Sequence, residues 1–115
     1  MLPSKHNLVL YRGDTYVRTF TFAYADATTI DFTDGSARVL VKTAHDGDTL
    51  TELSTANGKL SFGDDPTLGV VTLSLTAAET SAFTWTLAVY DFQLTLADET
   101  VITPLAGSFV IQKDV

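Results

Sequence analysis

The sequence predicts an all-β domain, a sandwich or barrel built from short strands. Apolar and polar residues alternate with a period of two along most of the chain, and Gly, Asp and Asn residues separate the alternating runs. The clearest run lies at 88–96, where Tyr90 and Phe92 share one face and Asp91 takes the other. This alternation is typical of a strand with one buried and one solvated face.

We predict about eight short strands. The strand-like segments lie at 7–11, 15–22, 37–43, 49–54, 59–62, 70–75, 85–96, 101–103 and 107–112. Aromatic and β-branched residues, which suit a pleated surface, support the second run, where Arg18 shares a face with the aromatic residues. The polar segment at 23–35 predicts a loop, with Ile30 and Phe32 as its inward anchors.

Local signals set the connections between the later strands. Asn57-Gly58 predicts a type I′ hairpin that joins 49–54 to 59–62, because that turn needs positive φ at both central residues. Thr76 and Glu79 have the spacing of a capping box, which predicts one short helical turn near residues 76–82. Pro104 predicts an edge or a break between 101–103 and 107–112.

The inward-facing positions of these runs define the predicted core. Its members are Tyr16, Phe20, Phe22, Val39, Val41, Leu73, Tyr90, Phe92, Leu94 and Phe109. A chain of 115 residues is one domain of ordinary size, here 1–115, with residues 1–6 predicted as a flexible N-terminal arm.

Composition limits the classes of partner. The net charge is −7, which argues against binding to a phosphate backbone. No apolar run is long enough for a membrane span, and no apolar core of a signal peptide follows Met1, so we expect neither a membrane partner nor export. Cysteine is absent, which excludes disulfides and cysteine metal sites.

No residue pattern predicts catalysis. The two histidines are His6, in the arm, and His45, in an acidic turn, and neither a Gly-x-Ser-x-Gly elbow nor a phosphate-binding glycine loop is present. Arg12-Gly13-Asp14 matches the integrin tripeptide but is better explained as a turn between strands. We therefore expect a protein that is not an enzyme and needs no cofactor.

Two groups of residues suggest a binding site, one for calcium and one for a sugar, but each also has a structural explanation. The carboxylates of Asp46, Asp48 and the pair 64–65 lie in turns and could bind calcium, but such residues more often bond their own backbone. Trp85 could stack on a sugar if Tyr11 and Tyr24 were exposed beside it, but a core or interface position is favoured.

The order of motifs gives a resemblance. The motifs are Gly13-Asp14-Thr15-Tyr16 before Phe20-Thr21-Phe22, Ile30-Asp31-Phe32-Thr33 before 37–42, Asn57-Gly58, 69–73, 76–80, Tyr90-Asp91-Phe92-Gln93-Leu94 and 107–111. In this order, from about Leu8 to Ile111, the chain resembles the small β-sandwich domain at the N-terminus of the upper baseplate proteins of tailed bacteriophages.

The resemblance implies an immunoglobulin-like β-sandwich of about seven to eight strands and a structural role in a phage virion. Upper baseplate proteins usually continue beyond this domain, whereas this sequence ends at Val115, so we expect a small tail, neck or capsid-surface subunit and not an arm that reaches a receptor binder. The leading prediction is a tail, baseplate or neck adaptor. The alternatives are a capsid decoration (cement) protein, a carbohydrate-binding host-attachment module, and a host-encoded calcium-dependent adhesion domain.

The expected partners are other virion proteins and further copies of the chain, in an oligomer that matches the symmetry of the particle. Terminal strands can dock by adding to a neighbour's sheet. The candidate docking residues are Leu2, Pro3, His6, Val110, Gln112 and Val115.

Overall fold

The computed structural model describes residues 4–24, 26–44 and 46–112. Its strands are β1 (Ser4–Lys5), β2 (Leu8–Tyr11), β3 (Tyr16–Thr21), β4 (Ser36–Lys42), β5 (Thr49–Ser54), β6 (Leu60–Ser61), β7 (Val70–Leu75), β8 (Leu87–Thr95) and β9 (Val101–Gln112). A 3-10 turn at Pro66–Leu68 precedes β7, and the helix α1 (Ala77–Ser81) precedes β8.

The strands form two sheets packed face to face. In the large sheet, β1 and β2 both run parallel to β9, and β8, β4 and β5 follow in antiparallel order. The small sheet has the antiparallel order β3-β7-β6. The chain crosses between the sheets after β2, β3, β5 and β7, so the immunoglobulin-like sandwich expected from the sequence is confirmed.

The core lies between the two sheets and contains the predicted residues. All ten contribute to it, and of these only Tyr16 remains half-buried. Ile30 and Phe32, the predicted anchors of the long loop, are 1 % exposed, and Phe32 stacks on Phe62 at 4.7 Å between ring centroids. The loop after β3 is therefore held by apolar side chains that enter the sandwich.

Pro104 was predicted to mark an edge or a break, and the break is wrong, because β9 is one continuous strand through this residue. The edge is confirmed, since among the described residues 101–104 pair only with β8. Phe92 faces Leu105 while Leu94 faces Ile102, so two residues of β9 lie opposite Gln93 alone. This is a β-bulge, and Pro104 is one of the two bulged residues. A bulge tolerates proline because the regular ladder of hydrogen bonds is already interrupted there.

The predicted hairpin at Asn57-Gly58 is also wrong. Gly58 has a φ of 80°, but Asn57 does not have the positive φ that a type I′ turn requires, and β6 pairs with β7 in the other sheet. The Asn57 side chain instead bonds the free edge of β5, donating to the Glu52 carbonyl at 2.9 Å and accepting from the Ser54 N–H at 2.9 Å. The side chain thus takes the place of a hairpin partner.

The predicted helical turn is confirmed as α1, with both bonds of its capping box. The Thr76 hydroxyl accepts from the Glu79 N–H at 3.1 Å, and the Glu79 carboxylate accepts from the Thr76 N–H at 2.9 Å. Lys59 forms an ion pair with Glu79 at 2.6 Å, and this bond together with the Thr76 N–H lowers the pKa of Glu79.

The flexible arm predicted at 1–6 is not seen from Ser4 onward. Ser4 and Lys5 pair with Leu105 and Ala106 of β9, and the His6 N–H donates to the Ala106 carbonyl at 3.0 Å. The reason is the length of β9, which extends past β2 and leaves an open edge for the residues before it. Residues 1–3 lie outside the described residues.

No helix among the described residues is both long and apolar enough to cross a membrane.

Candidate partner-docking surface

Three neighbouring strands of the large sheet carry apolar residues on both faces. In β2, Leu8 and Leu10 are buried while Val9 and Tyr11 are exposed. A strand that is apolar on both faces is typical of a strand covered on both sides. Here the inner face is covered by the small sheet, and none of the described residues covers the outer face.

The exposed apolar residues are contiguous. Val9 pairs with Val110, and Val110 pairs with Leu87, so the three form a row across β2, β9 and β8. Val9 is 44 % exposed and Leu87 is 66 % exposed, while Val110 between them is half-buried. Tyr11, which is 50 % exposed, and Val89 extend the row along the strands. We call these five residues the apolar patch.

Beyond the patch the outer face is mostly polar, and its other large apolar residues are the half-buried Leu40 and the exposed Val101. Lys42 borders the patch opposite Val89, and Lys5 and Asp91 flank Ala106. Farther along, Arg38 donates to the Gln93 side chain at 2.7 Å and lies 3.6 Å from the Glu52 carboxylate. An apolar centre with a polar border is the usual arrangement of a protein–protein interface.

A connected layer lies beneath the patch. The Arg12 guanidinium, directly after β2, donates to the carbonyls of Phe83 and Trp85 at 2.9 Å each. Trp85 packs on Phe83 at 4.5 Å and edge-on to Phe109 at 6.4 Å between ring centroids. These contacts connect the ends of β2, β8 and β9 to one another.

The turn at Arg12-Gly13-Asp14 is part of this layer. The buried Thr80 hydroxyl of α1 accepts from the Gly13 N–H at 3.0 Å and donates to the Asp14 carbonyl at 2.8 Å. The Arg12 side chain is engaged with backbone carbonyls, which supports the reading of this tripeptide as a structural turn.

The structure separates the candidate docking residues predicted from the sequence. Val110 lies at the centre of the apolar patch, and Gln112 is exposed at its end, opposite Tyr11. His6 is half-buried, and its ring packs edge-on against Phe20. The other three candidates, Leu2, Pro3 and Val115, lie outside the described residues.

Sequence reasoning missed Val9, Tyr11, Leu87 and Val89. The available signal was the loss of alternation in three segments, at 8–11, 87–90 and 109–111, where apolar residues occupy both faces. Strand pairing was needed to show that these segments are neighbours and that one face of each is open.

A polar cluster lies between the sheets beside the N-terminal strand. The Tyr90 hydroxyl donates to the His6 carbonyl at 2.6 Å, and burial raises the pKa of Tyr90 to about 12. The Arg18 guanidinium donates to His6 Nε2 at 2.9 Å and lies over the Phe20 ring at 5.7 Å. These two hydrogen bonds hold His6 at its carbonyl and at its ring.

Tyr16 shares this cluster. Burial raises the pKa of Tyr16, the nearby Arg18 charge opposes that shift, and the buried hydroxyl has no hydrogen-bond partner among the described residues.

The loops at one end of the sandwich are acidic. The three loops at 22–35, 62–69 and 96–100 contain no Lys or Arg. They hold Asp26, Asp31, Asp34, Asp64, Asp65, Asp98 and Glu99. Four of the carboxylates, those of Asp26, Asp31, Asp65 and Asp98, accept the N–H of a threonine two residues later.

The threonine side chain, and then its N–H, lower the pKa of the Asp31, Asp65 and Asp98 carboxyls, whereas for Asp26 the N–H bond is the larger cause. The Asp65 carboxylate therefore accepts a backbone N–H of its own turn, as predicted for carboxylates in such turns. Within the described part of the chain, no group of three or more His, Asp or Glu residues is arranged to hold a metal ion.

The aromatic residues considered for sugar stacking do not lie together. Tyr11 ends β2 at one end of the sandwich, and Tyr24 follows β3 at the other, about 20 Å away for a six-residue strand. Trp85 is half-buried beside the core. The three residues do not form a shared stacking platform.

Comparison of the chain with protein-family models and with curated protein sequences found no match in either.

Proposed function

We propose that this chain is a non-enzymatic structural subunit of a tailed-phage particle, an adaptor of the tail, baseplate or neck that binds other virion proteins. The order of motifs along the sequence supports the phage assignment. The observation that carries the assembly role is the apolar patch, because it is contiguous, exposed and bordered by polar residues.

The patch supports binding to protein. Single exposed apolar residues are normal on any surface, but a contiguous group with a polar border marks an interaction site. Removing Val9, Leu87 and Tyr11 from water on binding would supply a hydrophobic driving force. The connected layer beneath these residues lowers the ordering cost that association must overcome.

Charge supports the same class of partner. The net charge of −7 opposes binding to nucleic acid. Two cations, Lys5 and Lys42, lie toward the border of the patch, where charge contributes more to orientation and association rate than to affinity.

Quantitative mass spectrometry of purified particles, made from the genome that encodes this chain, tests the proposal. We expect a copy number from a few to a few dozen, because tail, baseplate and neck rings have low cyclic symmetry. A copy number in the hundreds would replace the adaptor role with decoration of the capsid. Absence of the chain from intact particles would overturn the virion role.

A further inference from the structure

The two sheets have four open edges, and three of them are protected. Exposed edges invite pairing with other chains, so proteins shorten, bend, charge or cover them. The edge of the large sheet at β1 and β2 is broken at His6–Asn7 into pieces of two and four residues. The edge at β6 is only two residues long.

The edge at β5 is as long as β3 but is covered. The Asn57 side chain bonds the outward-facing backbone of Glu52 and Ser54, as described above. The ladder beside β5 also contains a bulge at Val41/Lys42, and the exposed Glu52 adds a charge. Both features oppose the addition of another strand.

The edge at β3 has none of these protections. β3 has six residues, no proline and an unbroken register with β7, and the side chains on its outer face, Val17, Thr19 and Thr21, are uncharged and exposed. Val17 is 55 % exposed. The one charge of the strand, Arg18, points between the sheets toward His6 and Phe20.

The hydrogen-bond pattern shows which backbone groups of β3 are free. The Phe22 N–H, just after the strand, donates to the Gly69 carbonyl at 2.8 Å, in register with the β3–β7 pairs. Because residues of an antiparallel strand alternate in direction, Arg18 and Phe20 also face β7. The N–H and C=O groups of Val17, Thr19 and Thr21 therefore point out of the sheet, where no described strand pairs with them.

We propose that this edge binds β3 of a second copy of the chain, antiparallel and centred on Thr19. In this register Thr19 faces Thr19 of the second copy. Val17 of each copy faces Thr21 of the other copy. Three hydrogen-bonded pairs then use every free backbone group of the strand. The two small sheets become one six-stranded sheet across a two-fold axis.

Side-chain pairing selects this register and this occupant. If the second strand moved by two residues in one direction, Arg18 would lie opposite Arg18 of the second copy. Like charges that face each other across two strands are destabilising. A shift in the other direction would leave Val17 opposite a residue beyond the strand. The Thr19 register instead places Arg18 opposite Phe20 of the second copy, which a cation–π contact favours. The β3 strand can therefore pair with a second copy of itself. This inference does not depend on the virion role.

Charge variants at Thr19 test the pairing, because this residue faces its own counterpart. We expect the full wild-type chain to dimerise in sedimentation equilibrium. We expect both Thr19→Lys and Thr19→Glu to raise the dimer dissociation constant about tenfold or more, through repulsion on the axis. An equimolar mixture of the two variants should regain wild-type dimerisation, because lysine then faces glutamate.

Thr84→Lys is the matched control, with the same change at an exposed residue outside the strands and away from the β3 edge. It should dimerise like the wild type. Circular dichroism and thermal unfolding establish that each variant is folded. Thr19→Val adds no charge and should remain dimeric, and it serves as a second variant in case a charged one does not fold. A monomeric wild type, unchanged dimerisation of folded Thr19→Lys, or failure of the mixture to recover would each overturn the proposal.

Discussion

At the residue scale, a few buried polar groups hold the junctions of the sandwich. Thr80 ties α1 to the turn after β2, and Tyr90 ties β8 to the N-terminal strand. The capping box could be predicted because its partners are three positions apart. The Tyr90 bond to His6 could not, because 84 positions separate the two residues and only the folded topology brings them together.

Thr80→Val should destabilise the domain by about 1–3 kcal/mol, because it removes the buried hydroxyl that bonds the half-buried Gly13 N–H and the Asp14 carbonyl. Denaturant unfolding measures the change. Ser81→Ala, at the exposed neighbouring position of α1, is the control and should change the unfolding free energy by less than about 0.5 kcal/mol. Equal effects of the two variants would show that the Thr80 bridge contributes nothing specific.

Tyr90 should make the stability of the domain fall at alkaline pH. Folding raises the pKa of Tyr90 to about 12, so the neutral phenol is favoured in the folded state. Its contribution is present in full below the unfolded pKa of about 10 and is lost as the pH rises through the folded value.

Unfolding measured across this alkaline range should show a smaller pH dependence in Tyr90→Phe than in the wild type. Some slope should remain, because burial also raises the pKa of Tyr16. An identical slope in the two proteins would contradict the assignment to Tyr90.

At the element scale, periodicity predicts where strands lie but not which strands pair. Alternation placed β5 and β7 at their observed bounds, and the predicted core residues follow from the same alternation. The hairpin at Asn57 and the break at Pro104 are wrong predictions because both signals are local, whereas their outcome depends on the partner strand. Asn57 bonds β5, which is an edge strand because of the order of strands in the sheet. Pro104 lies in a bulge that is defined by the register between β8 and β9.

Gly107→Ala should detach β1 from β9. A Cβ at this position would lie 2.3 Å from the His6 carbonyl oxygen, so the backbone around His6 would have to move away. Hydrogen exchange of the His6 amide, which donates to Ala106, should accelerate while exchange in β4 stays slow. Ser108→Ala, the next position of β9, should retain wild-type protection, and full protection of the His6 amide in Gly107→Ala would contradict this packing.

At the scale of the whole molecule, the surface divides into regions of different character. One end carries acidic loops without a cation, and the outer face of the large sheet carries the apolar patch. The sequence predicts the net charge, but the two regions arise only when the fold gathers loops and strands that are distant along the chain. The candidate docking surface could for that reason be predicted only in part, through Val110 and Gln112.

Asp64→Lys should stabilise the domain at low ionic strength, because it relieves repulsion among the acidic loops without removing a turn bond. The gain should shrink as salt is added. Asp65→Lys, one residue later, should instead destabilise, since the Asp65 carboxylate bonds both the N–H and the hydroxyl of Thr67. Thermal unfolding at two salt concentrations separates these effects, and a gain from Asp64→Lys that is independent of salt would contradict the electrostatic explanation.

The most direct test of the central claim is the incorporation of a patch variant into particles. Leu87→Lys places a charge on the patch at a residue that is 66 % exposed, so the fold should be retained. Thr95→Lys, on the same face at the far end of β8, is the control. The account predicts that Leu87→Lys is depleted about tenfold or more from purified particles while Thr95→Lys is incorporated like the wild type. Incorporation of folded Leu87→Lys at the wild-type copy number would contradict docking through the apolar patch.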